Sequence, residues 1–295
     1  MHTKNMLQEG KGHIMESLFG TFFWDNGYMQ YLNDIPGQLM DKMSFSVDNI
    51  PVFVAWIIAY FFGFLLYTEA MKVERQQGLT VYPITVHAYM MTIDITGFIT
   101  YLPLAIHNNF FWYFDLQTIA LAIWVFMEAR SVYSGIKNER FRQMEWGKLA
   151  KGGVSEKQAW MYVVGIWIAG FGLNWYLLSL LGGFDNCAIW IVYPFTSYVY
   201  AVFTWRFWDQ RATETGMRAS NSIGIQIAVI GSCLVGWVPG LSWYWSVTPF
   251  YHQPWTIIGG AMVTIIAIYT FYKCSKLPKF DPDKLVLPDV DTYKA

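Results

Sequence analysis

Seven apolar stretches, at about 50–68, 81–106, 110–127, 160–184, 188–205, 222–240 and 254–272, alternate with polar connections along the chain. About 20 apolar residues carry an α-helix through a hydrocarbon core of about 30 Å, so each stretch predicts one crossing. The pattern predicts an all-α, polytopic membrane protein: a seven-transmembrane-helix bundle over residues 49–274. An N-terminal segment, 1–48, precedes the bundle, and a flexible tail rich in proline and charge, 275–295, follows it. Of the 20 Lys and Arg residues, seventeen fall on one face of this scheme, in the connections after the first, third and fifth stretches and in the tail. The other face has only Lys4, Lys11 and Lys42. Positive residues stay on the cytoplasmic side, which predicts an outside N-terminus and a cytoplasmic C-terminus. The same rule does not distinguish plasma membrane from endoplasmic reticulum.

Smaller signals fill in the connections. Met15, Leu18, Phe19, Phe22 and Phe23 recur at helical spacing and predict a short amphipathic helix in the outer interface. The first 13 residues are polar, so no cleavable signal peptide is expected. The third stretch is expected to continue as helix past the membrane to about Met144, where Gly152 and Gly153 end the connection and Ser155 caps the fourth span.

Composition agrees with a membrane protein: 55% of residues are hydrophobic and 14% charged. The basic residues follow the membrane sides and form no groove, so no nucleic-acid partner is expected. Cys187, Cys233 and Cys274 have neither metal nor disulfide spacing. With Trp 15, Tyr 19 and Phe 22, the aromatics exceed what two interfacial belts absorb. Those within spans, such as Trp124 and Trp175, face lipid, a neighbouring helix or a cavity.

Asp94 is the main chemical candidate. It sits mid-span in Met-Met-Thr-Ile-Asp-Ile-Thr-Gly, where an acidic side chain costs about 2.5–3.5 kcal/mol to insert. Away from water the neutral acid is favoured, and a neutral acid can donate a proton. The alternative is a carboxyl that only ties two helices together. His87, Met91 and Tyr101 share its helical face, with His87 about 10 Å of rise away. Glu128 ends the third span on a stripe with Gln117, Leu121 and Trp124; it is either a second catalytic group or an interfacial partner of Arg130. Asn174 either lines a cavity or joins helices. Asp94, Glu128 and His87 are therefore the catalytic candidates, and Tyr101, Trp124, Asn174, Trp175 and Met91 the candidates for substrate contact. His87, Asp94, His107 and Glu128 lack metal-ligand spacing, and there is no phosphate loop and no paired-carboxylate motif for magnesium and diphosphate. No metal or other cofactor is expected.

The run Tyr67-Thr-Glu-Ala-Met-Lys-Val-Glu-Arg-Gln, followed by Thr92-Ile-Asp94, resembles the small integral-membrane terpene cyclases of fungal meroterpenoid and indole-diterpene pathways. Trp124, Glu128 and Val132-Tyr133 leading to Lys137 are similar to that family's third helix, and Thr213 to Ser222 to its entry into the sixth. The resemblance implies a seven-helix bundle with a catalytic acid midway along the second helix. The chain departs from the family in several places. It has no acid in the last span, Asp94 follows Ile93 where the family has Glu after Trp, and Glu128 stands where the family is usually uncharged. Extra sequence surrounds His107–Phe114.

The expected function is acid-initiated carbocation chemistry on a lipophilic isoprenoid held inside the bundle, giving cyclisation, isomerisation or dehydration. The rival classes are a proton-coupled transporter or receptor and a structural membrane subunit. The sequence does not fix the oligomeric state.

Overall fold

The structure, a computed structural model, describes residues 26–150, 152–284 and 289–294. The stripe from Met15 to Phe23 lies outside the described residues. Among the described residues the regular elements are all helical. They are α1 (Ile35–Lys42), α2 (Ile50–Gln77), α3 (Ile84–His107), α4 (Trp112–Lys137), α5 (Glu139–Trp146) and α6 (Glu156–Leu180), then α7 (Trp205–Thr215), α8 (Ile223–Trp237), α9 (Trp243–Val247) and α10 (Pro254–Lys276). Five helices are long and apolar enough to cross a membrane: α2 with the turn before it, α3, α4, α6 and α10. These correspond to the first four and the last of the seven predicted stretches.

The fifth and sixth stretches differ from the expectation. From Ile189 to Phe203 the chain changes pitch repeatedly, through α (Ile189–Val192), 3-10 (Tyr193–Phe195), α (Thr196–Tyr198) and π (Val199–Phe203) turns. Pro194 explains part of this, because it has no N–H to donate and its ring crowds the preceding turn. Thr204 adds to it by turning its hydroxyl back onto the Tyr200 carbonyl. The sixth stretch forms α8, whose 15 residues rise about 22 Å before Pro239 and Gly240.

α3 is the central helix. Of its most apolar window 56% is buried, against 17% for α2. α4 and α6 pack against α3, while α8 lies between α2 and α10. The ends of the helices are set by local chemistry. α2 stops at Gly78, whose φ of 63° is the left-handed conformation glycine adopts without strain. Ser155 caps α6 in a capping box with Gln158, as expected. α4 ends at Lys137, earlier than predicted. Asn138 caps a new helix, α5, and Arg142 on α5 donates to the terminal carbonyls Ile136 O and Lys137 O.

α5 then acts on α3. Glu145 accepts the free N–H groups of Ile84 at 2.6 Å and Thr85 at 2.8 Å, so a side chain from another helix caps the helix that carries Asp94. Burial raises the Glu145 carboxyl above its ordinary value of 4.5, and these hydrogen bonds oppose the rise. The tail also bears on α5. Tyr293 is buried and Lys294 pairs with Glu139 at 3.2 Å, so the last described turn is docked where composition predicted a flexible end. Tyr293 and Phe280 are the tail's buried apolar side chains, and the Lys294 ion pair adds to their docking.

Candidate functional site

α2, α3, α4, α8, α9 and the irregular 189–203 run line a partly open chamber of about 130 Å³. Its walls are rich in Trp and Tyr and also carry Gln117, Thr196, Ser197 and Ser232. Trp124 of α4 stands between Tyr60 and Tyr67 of α2, with ring centroids 5.8 Å and 6.5 Å away. Across from them Trp190, Trp243 and Tyr244 form a second cluster, at 5.3 Å, 4.9 Å and 4.5 Å between pairs. Tyr193 and Tyr200 come from the irregular run. A regular helix places residues seven apart nearly in line. The changes of pitch supplement that alignment and turn Tyr193, Pro194, Thr196, Ser197 and Tyr200 all toward the chamber. Gly97 allows the close approach on the α3 side, since a Cβ there would meet the Tyr193 hydroxyl.

Asp94 is the acidic residue in the chamber wall. The residue is 4% exposed, and its Oδ2 has no hydrogen-bond partner among the described residues. The Tyr193 hydroxyl and the indole N–H groups of Trp124 and Trp190 are likewise buried without a partner there. Buried polar atoms are rarely left unpaired, and those that are tend to mark a place where something polar or reactive binds. Asp94 lies within electrostatic reach of Tyr67, Tyr193, Tyr200 and Glu128.

Glu128 and His87 come together behind this wall. Glu128 Oε2 lies 2.5 Å from His87 Nδ1, and Oε1 accepts from the Tyr67 hydroxyl at 2.6 Å. Glu128 is 1% exposed, so the expected interfacial pairing with Arg130 is replaced by a buried pair. The physical reason is that both carboxylate oxygens find donors inside the bundle, which burial of a charge requires. Neither Glu128 nor His87 forms part of the chamber wall; Tyr67 stands between them and it.

The substrate-contact candidates divide. Trp124 is in the wall. Tyr101 is fully buried but outside the chamber, against Tyr113 and Phe114. Met91 is also outside; Met90 lines the chamber, because the fourth residue back from Asp94 lies nearer its helical line than the third. Asn174 donates to Thr92 Oγ1 at 3.1 Å and joins α6 to α3. Trp175 is 49% exposed on the outer face of α6, packed on Phe171 and Phe184, so it takes no part in the chamber. The residues that sequence reasoning missed are chiefly tyrosines. Tyr60 and Tyr67, and Tyr193 and Tyr200, are each seven apart on one face, a spacing that was there to be read.

Among the described residues no three His, Cys, Asp or Glu side chains are grouped as metal ligands. Comparison with protein-family models, curated proteins and solved structures finds no match to this chain, so fold and site rest on its own residues.

Proposed function

We propose that this chain is a multi-pass membrane enzyme that transforms a lipophilic isoprenoid by acid-initiated carbocation chemistry. The observation that carries the reading is the Asp94 carboxyl, with Oδ2 unpartnered among the described residues, set into a wall rich in Trp and Tyr. Asp94 protonates an alkene, epoxide or allylic alcohol. The faces of Trp124, Trp190, Trp243 and the wall tyrosines then stabilise the cation, each desolvated contact contributing about 2 kcal/mol. The aromatic rings of the wall also limit the water that can capture it. The chamber's 130 Å³ is close to the roughly 150 Å³ of an apolar cavity that takes benzene, so a longer isoprenoid enters only as wall side chains move.

In this reading the bundle crosses the membrane seven times, with α8 and the run from Ile189 into α7 as the two shorter crossings. Its C-terminus is cytoplasmic, by the distribution of Lys and Arg. The partners are the lipid bilayer and the isoprenoid.

The test is gas chromatography–mass spectrometry of membranes carrying wild type or Asp94→Asn, supplied with isoprenoid alcohols, alkenes and epoxides. A product made by wild type and reduced at least about 100-fold in the variant, at equal expression, is the expected result. No conversion by either protein refutes the proposal. One observation favours a second reading: broken helices beside a mid-bundle cavity are a feature of proton-coupled transporters. Uptake of a lipophilic probe into vesicles that depends on a pH gradient, with no chemical change in the probe, selects that reading.

A further inference from the structure

Asp94 accounts for the start of a carbocation reaction and leaves its end open, because the cation must lose a proton to some base. The chamber wall contains a group suited to that step. Tyr67 lines the chamber and its hydroxyl donates to Glu128 at 2.6 Å, while Glu128 is held from its other side by His87 at 2.5 Å. Three groups from three helices thus form a continuous hydrogen-bonded line from the chamber into the protein. The line leads away from the chamber toward charged residues on the face that carries most of the Lys and Arg. Glu74 and Glu145 are within electrostatic reach of His87, and Glu74 is within reach of the exposed Arg130.

We propose that Tyr67 is the terminal base of the reaction, with Glu128 and His87 as the positioning pair that receives its proton and connects it to the face bearing Glu74, Glu145 and Arg130. This rests on the enzymatic reading above. In the first step the substrate π electrons take the Asp94 proton, forming a C–H bond and leaving the Asp94 carboxylate. In the last step a C–H bond beside the cationic carbon breaks, and its electron pair becomes the new C=C bond. The released proton goes to the Tyr67 oxygen while the Tyr67 hydroxyl proton passes to Glu128 Oε1. Overall one proton has moved from Asp94 to Glu128, and no oxidant or reductant is needed. The cycle closes when that proton returns through Tyr67 to Asp94, or leaves by way of His87 while another reaches Asp94.

The arrangement explains two features that packing alone does not require. A carboxyl with 1% exposure is bound at both oxygens, yet it stands one side chain away from a cavity with an unpartnered acid. His87 Nε2 is buried without a partner among the described residues, so the hydrogen-bonded line ends at this ring, within electrostatic reach of Glu74 and Glu145. The groups facing this line are Glu74 from α2, Tyr82 before α3, Asp94 from α3, Arg130 from α4, Glu145 from α5 and Tyr200 from the irregular run. Any pH profile of the variants below has these as its background.

The experiment uses the full-length protein in lipid nanodiscs and whichever isoprenoid the wild type converts. Tyr67→Phe keeps the ring and removes only the hydroxyl. Formation of the wild-type alkene is expected to fall by about 10²–10⁴-fold, the contribution of a positioned base, while substrate is still consumed and appears as alcohols or isomeric alkenes. Glu128→Gln should shift the products in the same direction, and Glu128→Asp should restore part of the wild-type pattern. Asp94→Asn stops consumption altogether, which separates the initiating acid from the terminal base. Wild-type products at the wild-type rate from Tyr67→Phe overturn the assignment. If wild type converts no compound, the enzymatic reading and the role of base fall together, and the proton line is judged by infrared difference spectra after a pH jump. The line predicts that the Glu128 carboxyl band, identified by its loss in Glu128→Gln, shifts in both Tyr67→Phe and His87→Gln. An unchanged band in both variants overturns the line itself.

Discussion

Removing His87 tests whether Glu128 is held as one unit from two sides. His87→Phe deletes the contact at 2.5 Å, and Tyr67→Phe deletes the one at 2.6 Å. Interhelical hydrogen bonds within membranes average about 0.6 kcal/mol, so an ordinary pair would barely be noticed. A bond to a charged group contributes about 1.5–3 kcal/mol, and stripping one partner from a buried ion pair costs about 3–5 kcal/mol. Tyr67→Phe is therefore expected to destabilise by about 1.5–3 kcal/mol and His87→Phe by about 3–5 kcal/mol. The double variant should cost less than the sum. Both bonds hold the same Glu128 carboxyl, so losing one leaves it less fixed for the other. A coupling of at least about 1 kcal/mol follows for groups sharing one network. Reversible unfolding in mixed micelles, followed by circular dichroism, measures all four corners of the cycle. Additivity within about 0.5 kcal/mol would mean that the two bonds are independent and that the unit does not exist.

Three further outcomes are expected. In Gly97→Ala the new methyl meets the Tyr193 hydroxyl, so the variant loses about 1–3 kcal/mol in the same unfolding assay and its chamber binds lipophilic probes differently. Ser155→Ala removes the capping box of α6 and costs about 1 kcal/mol, again by unfolding, with the chamber unaffected. Glu145 has a folded-state value raised above 4.5 by burial, so the folded protein binds the proton more tightly than the unfolded one. Its contribution to stability then grows as pH falls through the raised value and levels off below 4.5, and Glu145→Gln abolishes that slope in unfolding measured against pH.

Much of the scaffold was legible because a bilayer-length run of apolar residues has few other uses. The five long helices correspond to five predicted stretches, shifted at their ends by extensions such as Glu69–Gln77 on α2. The fifth stretch was less legible. Hydropathy averages over a window and does not register the local effect of Pro194 on pitch. In the site, Asp94 and Trp124 were accessible from depth and composition. The Glu128 pairing was not, since its two partners lie 41 and 61 residues away, on other helices. Periodicity describes the face of one helix and says nothing of which face it meets. Trp175 and Met91 failed for that reason, and so did the reading of Glu128 as an interfacial group.

The two mid-bundle carboxyls gain their meaning from this contrast in partners. A carboxylate inside a bundle is tolerable where donors meet its oxygens, and Glu128 has a hydroxyl at one and an imidazole at the other. Asp94 has a bare oxygen in the chamber wall, with no hydrogen bond to it among the described residues. In the proposed reaction the start therefore falls to Asp94, with its bare oxygen, and the finish to the Tyr67 hydroxyl that Glu128 holds. Exchanging the two environments should reverse the roles. Placing a hydrogen-bond donor beside Asp94, as Met90→Gln attempts from the preceding turn, would stabilise its carboxylate and slow initiation while leaving the Tyr67–Glu128–His87 line intact. The decisive readout is substrate consumption at unchanged product ratio. A change in ratio instead of rate would mean that the start and the finish are not divided between these two acids.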